Sequence, residues 1–470
     1  MGHHPTGIIS GWGRAPVATA HEVRSENLER VIDGLPLSRG LGRSYGDSSL
    51  PAAGDTEVVS TTLADRILDF DPETGVMRAE AGLSLETLYR VFLARGWFTP
   101  VTPGTQFVTL GGMVASDVHG KNHHSAGTFG AHVRELKLRV ADGRVVTCSP
   151  TVESALFRAT LGGMGLTGHI LEVTFAMEHV PSPWIWNESE RIPNIDKFID
   201  GLHEAAPVWP MTVGWFDSIA SGDRLGRGII YRGRWATPAE APPHPPRPKP
   251  RITIPFDFPS FVLGRLSIRA FNTLLYLSHG SRIRRGIVHP EKYFYPLDMF
   301  RRWNRMYGRQ GLTQHQCILP HEAGRGAARR FLEVLVKNGG ASFLCVIKDC
   351  GPEGIGTLSW PRPGISIALD IAVRKNTPAL IDALNECVIN EGGRIYLTKD
   401  AFTRPEHFRA MEPRLAEFDR VRRLWDPQGR FRSAQSVRLL GDERRGSGGE
   451  LRSPELIAGG AGPSRGPEVR

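Results

Sequence analysis

Cysteine is scarce in this chain and lacks the spacing of a cysteine-based site. The 470 residues contain 5 cysteines, an odd number, and no two of them stand in C-x-x-C spacing. Zinc ribbons need C-x-x-C pairs, and disulfide frameworks need an even number of cysteines. We therefore predict reduced thiols without a metal or a cross-link. The cysteines are Cys148, Cys317, Cys345, Cys350 and Cys387.

Long apolar runs are absent as well. No stretch reaches the length of about 18 apolar residues that a membrane span needs, and the first residues, MGHHPTGIISGWGRAP, contain no apolar core of signal-peptide length. We expect a cytoplasmic protein, with peripheral contact at the inner membrane face left open.

An excess of acidic residues is also missing. The chain has 58 Lys and Arg against 49 Asp and Glu, and its net charge is +9. Nucleic-acid-binding proteins share such a balance, but the chain has neither a recognition helix nor interleaved basic and aromatic runs. We expect no nucleic-acid partner, since attraction to a phosphorylated substrate or an anionic lipid explains the charge equally well.

Glycine, in contrast, is concentrated in three segments. These are residues 38–47 (SRGLGRSYGD), 103–130 (PGTQFVTLGGMVASDVHGKNHHSAGTFG) and 162–168 (GGMGLTG). Glycine allows peptide N–H groups to approach an anionic ligand closely. The third segment fits G-x-G-x-x-G, but a predicted helix precedes it and a predicted strand follows it. A dinucleotide-binding fingerprint requires the opposite order, so a Rossmann site is not expected.

The first 150 residues predict a mixture of strands and helices without repeated crossovers. Strands are predicted over 57–61, 67–71 and 76–80, a helix over 84–95, and a hairpin over 133–146. This pattern favours an α+β fold over a doubly wound sheet.

Two helix–strand units occur late in the chain. The first combines a helix over 325–337 with a strand over 342–348. The second begins at Thr377-Pro378 and leads into a strand over 394–398. The chain after residue 440 is rich in Gly, Arg, Ser, Pro and Glu, and we predict disorder there.

Alternation in two further strands predicts a sheet with one polar face. Gln314 and Gln316 share one face of a strand, and Ser366, Ala368 and Asp370 share one face of another, opposite four aliphatic residues. A polar cavity wall of this kind suits a sugar. Simple exposure of the polar face to solvent is the alternative.

The cluster of His119, His123 and His124 invites a metal interpretation. His119 and His123 have i, i+4 spacing, but the surrounding Gly, Ser and Asn residues do not favour a helix, and no carboxylate or third ligand is obvious. We predict no metal site.

Lys399 follows Tyr396 by three residues, and an amine or phenol there could orient an alcohol, take its proton or stabilise negative charge. An ordinary surface lysine is the alternative.

Taken in order, the motifs RGLGRSYGD, PGT, GGMVASDVHGKNHHSAGTFG and LFRATLGGMGLTGHI resemble the flavin-binding half of the vanillyl-alcohol-oxidase/p-cresol-methylhydroxylase superfamily. Within it the likeness is greatest to the flavin subunits of decaprenylphosphoryl-ribose 2'-oxidases. It extends to residues 295–300 (YPLDMF), 393–396 (GRIY) and 399–400 (KD), and it covers roughly residues 10–440.

The resemblance implies a two-domain α+β flavoprotein. An FAD-binding domain would span 10–181, and a substrate domain with an antiparallel sheet would span 182–393, with a mobile insertion at 237–290. Residues 394–440 would complete the FAD and active-site region, and 441–470 would form a disordered tail.

The resemblance also implies roles for individual residues. FAD is the implied cofactor, and we expect it to be non-covalent, because Arg43 stands where many relatives carry the histidine that tethers the flavin. The implied catalytic residues are Lys399, Tyr396 and His119. The implied substrate-binding residues are Lys121, Gln314, Gln316, Lys348, Ser366 and Trp215. The implied cofactor-binding residues are Arg39, Gly40, Leu41, Gly42, Arg43, Ser44, Tyr45, Thr105, Gly111, Gly112, Ser116, His119, Asn122, Ser125, Gly127, Gly130, Gly165, Gly168, Ile170 and Tyr396.

The implied reaction is oxidation of a sugar hydroxyl to a ketone. The expected substrate is the 2'-hydroxyl of a polyprenyl-phosphoryl pentose, as the first half of an epimerisation that a short-chain reductase partner completes. An aldonolactone or alditol oxidase acting on a soluble substrate is the alternative.

Residues 251–289 mix phenylalanine with arginine, which predicts a mobile lid that contacts lipid. An ordinary packed insertion is the alternative there.

Overall fold

The computed structural model describes residues 6–442, which combine helices with mainly antiparallel sheets. This confirms the mixed α and β composition, while the division into two domains stays a prediction. The predicted tail at 441–470 lies outside the described residues from 443 onward.

The strands are β1 (Gly7–Ser10), β2 (Val17–Arg24), β3 (Ser38–Arg39), β4 (Glu57–Ser60), β5 (Ile67–Phe70), β6 (Val76–Glu80), β7 (Trp97–Phe98), β8 (Val133–Arg139), β9 (Val145–Cys148), β10 (His169–Ala176), β11 (Glu178–His179), β12 (Ile185–Ile192), β13 (Met211–Phe216), β14 (Gly228–Trp235), β15 (Ile252–Thr253), β16 (Ile283–Val288), β17 (Phe300–Arg301), β18 (Leu312–Pro320), β19 (Cys345–Cys350), β20 (Gly364–Ala372) and β21 (Arg394–Ile395). The α-helices are α1 (Leu85–Phe92), α2 (Leu110–Ala115), α3 (His123–Ala126), α4 (Ser154–Thr160), α5 (Ile195–Ala205), α6 (Arg265–Ser278), α7 (Pro290–Phe294), α8 (Gly326–Lys337), α9 (Thr377–Asn390), α10 (Pro405–Met411), α11 (Leu415–Trp425) and α12 (Ala434–Leu440).

Two smaller sheets carry the glycine segments. One has the order β1-β2-β4-β3, with β4 parallel to both neighbours. The other is antiparallel, with the order β5-β6-β10-β8-β9. Helix α1 begins where Ser84 accepts a hydrogen bond from the backbone of Thr87, and it packs its apolar face into the core of the second sheet. The third glycine segment lies between α4 and β10, which confirms the order of helix before strand.

The third and largest sheet is antiparallel, with the order β16-β12-β14-β13-β19-β20-β18-β21. One of its faces is covered by α5, α8 and α9, and Cys345, Ile347, Ile367 and Leu369 lie in that core at 0% exposure. The opposite face of the same strands lines a cavity. The predicted alternation is therefore confirmed, and the polar face does not simply meet solvent.

Two predicted strands are shorter than expected because other groups engage their backbone. The strand predicted over 342–348 begins only at Cys345, since side chains of Ser218 and Asn272 donate to the carbonyl of Ser342 at 2.8 and 3.2 Å. The strand predicted over 394–398 ends at Ile395, and the carbonyl of Thr398 accepts a hydrogen bond from the Tyr45 N–H at 2.9 Å.

The insertion predicted at 237–290 is integrated into the large sheet at its C-terminal end. Strand β16 pairs with β12 over six residues, from Ile283 to Val288. Helix α6 buries Ile268 and Asn272, and the Asn272 amide donates to Asp217 at 2.9 Å. Ladder hydrogen bonds hold β16 in the sheet, and the mobility of the insertion at 237–290 stays a prediction.

The C-terminal helix α12 ties two distant motifs together. Arg438 donates to both carboxylate oxygens of Asp47, at 2.8 and 2.9 Å, and to Asp400 at 2.8 Å. Both carboxylates are buried. Asp47 ends the first glycine segment and Asp400 follows Lys399, so one guanidinium fixes the position of both.

The structure also bears on the predictions about the cysteines and about membrane-spanning helices. All five cysteines are free and buried, which confirms the expectation of unlinked thiols. Within residues 6–442 no helix has the length and apolar composition that crossing a membrane requires.

Candidate functional site

A cavity of about 590 Å³ lies between the polar face of the large sheet and the glycine segments. The predicted cofactor residues that line it are Gly40, Leu41, Gly42, Arg43, Ser44, Tyr45, Thr105, Gly111, Gly112, Ser116, His119, Gly165, Gly168, Ile170 and Tyr396. The predicted substrate and catalytic residues that line it are Lys121, Trp215, Gln314, Gln316, Lys348 and Lys399. The structure thus brings most of the predicted site to one place.

The glycine segments present backbone to this cavity. Gly165 has φ +80°, and a Cβ there would meet nothing within 4 Å, so the peptide borders open space. Gly42 has φ +63°, and a Cβ there would meet the guanidinium of Arg39 at 2.4 Å. Such bare peptide surfaces form a cradle against which a flat, phosphate-bearing ligand can lie. FAD fits this description.

Arg39 lies behind the cradle and does not line the cavity. Its guanidinium donates to the Ser49 hydroxyl at 2.8 Å and the Ser10 carbonyl at 2.7 Å, and it forms an ion pair with Glu22 at 3.2 Å. The prediction that Arg39 contacts the cofactor is therefore corrected to a supporting role for the first glycine segment.

Four more predicted cofactor residues lie away from the cavity wall. The Asn122 amide donates to the Pro100 carbonyl at 2.7 Å, Ser125 is exposed and donates to Pro210 at 2.9 Å, and the Gly130 N–H donates to Asp117 at 2.8 Å. Gly127 caps the short helix α3 at φ +70°. The chain turns away after Lys121, so these residues shape the loop instead of touching a ligand.

Arg43 occupies the cavity wall between two aromatic rings. Its guanidinium carbon lies 4.0 Å from the ring centroid of Trp12 and 4.9 Å from that of Phe107. Its Nε is buried and has no hydrogen-bond partner among the described residues. Burial lowers the pKa of this guanidinium and Asp298 opposes the shift, so Arg43 remains a cation. It is suited to bind an anionic group.

A second, open groove of about 660 Å³ adjoins the cavity at Arg43. It is rich in cations, and Arg251 pairs with Glu86 at 2.7 Å on its wall. The remaining arginines that line it are Arg90, Arg301 and Arg302. The cavity and the groove together form a continuous basic surface.

His119 lies at the centre of the polar sheet face. Its Nε2 accepts a hydrogen bond from the Gln316 amide at 3.1 Å, while its buried Nδ1 has no partner among the described residues. Burial, with Lys348 and His123 nearby, holds its pKa well below the usual range, so the imidazole is neutral. Tyr396 lies 5.1 Å away between ring centroids, and its hydroxyl donates to the Ser116 carbonyl at 2.8 Å.

Lys399 lines the cavity and interacts electrostatically with Asp370, which is buried and does not line it. Lys399 is half-buried with its Nζ 4.3 Å from the ring centroid of Tyr45, and burial lowers its pKa to about 8 although Asp370 opposes that shift. Burial raises the pKa of Asp370 to about 7, while its carboxylate accepts a hydrogen bond from Gln314. Both groups therefore exchange protons close to neutral pH.

Two more lysines face the cavity. Lys121 Nζ donates to the Phe294 carbonyl at 3.0 Å, and Lys348 Nζ donates to the Gly120 carbonyl at 3.5 Å. Burial lowers the pKa of both amines, that of Lys121 to about 7. Three amines on the cavity wall make it electropositive when protonated, which favours an anionic ligand.

One predicted substrate residue lies beneath the cavity surface. Ser366 is paired with Lys348 in the sheet and is 1% exposed, but it does not line the cavity. Its position as a direct substrate contact is therefore corrected. Trp215 does line the cavity, and its indole N–H donates to the Phe343 carbonyl at 3.0 Å.

The structure gives roles to residues for which the sequence predicted none. Asp298 accepts hydrogen bonds from the Thr105 hydroxyl and the Gln106 N–H, both at 2.8 Å, and it lines the cavity. Trp360 packs against His119 at 4.9 Å between ring centroids. Neither lies in a periodic segment. Asp370 was on the predicted polar face, and its isolation among aliphatic residues was the signal that could have marked it.

The histidines after His119 do not converge on a metal site. His123 Nδ1 accepts from the Gly351 N–H at 3.1 Å, and His124 Nε2 lies 2.7 Å from the Trp209 carbonyl. These ring nitrogens hold the loop against neighbouring backbone.

Comparisons with known proteins agree with this geometry. Residues 32–149 match the family model described as an FAD binding domain. The chain is 34% identical to decaprenylphosphoryl-β-D-ribose oxidase of Mycolicibacterium smegmatis over 92% of this chain and 97% of that protein. It is 32% identical to a putative D-arabinono-1,4-lactone oxidase of Neurospora crassa, over only 29% of this chain and 24% of that protein.

The first of these relatives matches along almost its whole length. The chain therefore belongs to the vanillyl-alcohol-oxidase/p-cresol-methylhydroxylase-type FAD-dependent oxidoreductases acting on CH–OH groups, in the family of decaprenylphosphoryl-β-D-ribose oxidase.

Proposed function

We propose that the protein oxidises a sugar hydroxyl to a ketone, and that the sugar is a pentose carried on a polyprenyl phosphate and oxidised at its 2' position. The observation that carries the proposal is the electropositive cavity, in which Lys121, Lys348 and Lys399 face the glycine cradle. FAD, when bound against the cradle, supplies the acceptor for the carbon-bound hydrogen. The chain's own residues must hold the sugar and remove the hydroxyl proton.

Lys399 is the best-matched group for that proton. A general base works best when its pKa lies near the working pH, and the pKa of Lys399 is about 8. Tyr396 has its pKa raised by burial and already donates to Ser116, while the imidazole of His119 has its pKa far lowered. Those two groups are suited to position the sugar, with His119 Nδ1 free to donate to a hydroxyl oxygen.

A phosphorylated substrate explains the surplus of cations better than a neutral polyol does. Arg43 and the adjoining arginine groove extend the basic surface beyond the amines of the cavity. Buried cations without a matching anion are costly, whereas a phosphate would satisfy several of them at once. The Mycolicibacterium relative carries a phosphoryl-ribose in its name, which supports the same substrate class.

A ketone left on such a sugar requires a reductase to complete an epimerisation, and a short-chain reductase is the proposed partner.

The segment around α6 is proposed to meet the lipid part of the substrate. Leu275 lines the cavity, while Phe256 and Phe261 are 61% and 75% exposed and Leu266 is 83% exposed. The alternative of a packed insertion with a phenylalanine core does not match these exposures. Arginine beside exposed apolar groups suits an anionic lipid surface.

The substrate class can be tested by anaerobic reduction of the bound flavin. A short-chain polyprenyl-phosphoryl ribose should bleach the flavin at least about tenfold faster than a free alditol or aldonolactone, because only the former uses the cationic cavity. Stopped-flow absorbance measures both rates. Faster bleaching by the alditol or the lactone would favour the alternative function.

Replacing the proposed base gives a second prediction. Lys399→Ala should retain flavin but slow its reduction by about a hundredfold, the order expected for loss of a positioned base. In the wild type the rate should rise with pH and level off above about 8, because the neutral amine accepts the proton. This rise should flatten in the variant. Lys375→Ala, at an exposed lysine, is the matched control, and an unchanged pH profile in Lys399→Ala would contradict the role.

The mode of flavin attachment gives a third prediction. We infer a non-covalent flavin, because the guanidinium of Arg43 is a cation and not a nucleophile. Acid precipitation should release the yellow chromophore into the supernatant, where absorbance quantifies it. Colour that stays with the precipitated protein would show a covalent bond and rule out this inference.

Binding to lipid vesicles gives a fourth prediction. Arg282 and Arg285 already pair with Glu190 and Glu188, so reversing their charge would disturb β16. Arg265 and Arg269 are exposed on α6 and are the better targets. The double change Arg265→Glu with Arg269→Glu should weaken salt-sensitive binding to anionic vesicles at least about tenfold.

Co-sedimentation at low and high salt measures that binding. The matched control reverses Arg409 and Arg423, two exposed arginines on α10 and α11. Wild-type protein that ignores anionic vesicles at low salt would remove the lipid surface from the proposal and favour a soluble substrate.

A further inference from the structure

Three side chains converge on the face of the large sheet that lies opposite the flavin cavity. His321 Nε2 lies 2.8 Å from one carboxylate oxygen of Asp349, and His203 Nε2 lies 4.0 Å from the other. All three potential ligand atoms lie within 4.8 Å of one another. Within the part of the chain that the structure describes, this is the one such group of three.

The fold explains why these distant residues meet. Along β19, Cys345 and Ile347 point into the helix-covered core, and Asp349 continues that alternation, whereas Lys348 faces the cavity. Helix α5 packs on β19 and brings His203 from its last turn. His321 follows directly on β18 and reaches Asp349 across the start of β20. The cluster therefore joins three separate elements.

Asp349 is the buried member of the cluster. The side chain of Asp349 is 7% exposed, and its described hydrogen-bond and ion-pair partners are the two imidazoles alone. Neither an arginine nor a lysine forms an ion pair with it in the described chain. A buried carboxylate is stabilised by a counter-charge, which a bound cation would supply.

The donor set identifies the cation that would supply the charge. Two imidazole nitrogens and one carboxylate oxygen match zinc, whereas magnesium and calcium prefer oxygen ligands throughout. Tetrahedral ligands bonded to zinc lie about 3.4 Å from one another, between the 2.8 and 4.0 Å separations observed. Each histidine side chain is 39% exposed, so water has access to a fourth position.

We propose that His203 Nε2, His321 Nε2 and Asp349 bind one Zn²⁺ ion that fastens α5 and the turn after β18 to β19. The site is structural and separate from the flavin chemistry. It rests on geometry outside the cavity, so it stands whether or not the proposed substrate is correct.

The experiment titrates chelator-treated, flavin-loaded protein with Zn²⁺ alone, by isothermal titration calorimetry. The wild type should bind about one equivalent, and His203→Ala, His321→Ala and Asp349→Asn should each weaken binding at least about tenfold, as expected for the loss of a ligand. Co²⁺ in place of zinc should give the visible absorption of a tetrahedral centre. His244→Ala removes an exposed histidine elsewhere and should change nothing.

Flavin content and the circular dichroism spectrum report whether each variant folds. His203→Ala is the decisive variant, because that side chain is partly exposed and its loss leaves the strands intact. Absence of stoichiometric binding in the wild type overturns the proposal, and so does binding of undiminished affinity in folded His203→Ala and His321→Ala.

Discussion

Arg438 donates hydrogen bonds to Asp47 at the end of the first glycine segment and to Asp400 beside Lys399, and the geometry of the cavity depends on that shared contact. The cradle and the proposed base lie far apart in the chain, so neither positions the other through local structure. Both carboxylates are buried, and each would be left without its cation if Arg438 were absent. A backbone hydrogen bond from Tyr45 to Thr398 reinforces the same junction.

The cavity combines a backbone surface with a titratable one. The cradle needs glycine because side chains would fill the space that a cofactor requires, as at Gly165. The opposite wall carries amines, and burial lowers the pKa of Lys399 there to about 8, while it raises the pKa of Asp370, which does not line the cavity, to about 7. The same burial that shapes the pocket therefore sets its chemistry.

Strand alternation and the order of helices and strands were predicted correctly from the sequence, because local structure determines them. Alternation placed Gln314 and Gln316 on the cavity face, and the order of helix and strand around the third glycine segment excluded a Rossmann site. The roles that the resemblance implied for Ser125 and Gly130 were corrected, because a motif match does not show where a loop turns away from its ligand. Local patterns also gave no sign of the cluster of His203, His321 and Asp349, since only the assembled sheet brings those elements together.

Strand β19 carries charges of opposite sign on adjacent residues, Lys348 toward the cavity and Asp349 toward the helix-covered face. A slip of one residue in its pairing would exchange the two faces. The amine would then be buried on the helix-covered face, and the cavity wall would lose one of its cations. Burial of the Lys348 amine thus penalises the slipped pairing, and the register of this strand is specified by charge as well as by hydrophobic pattern.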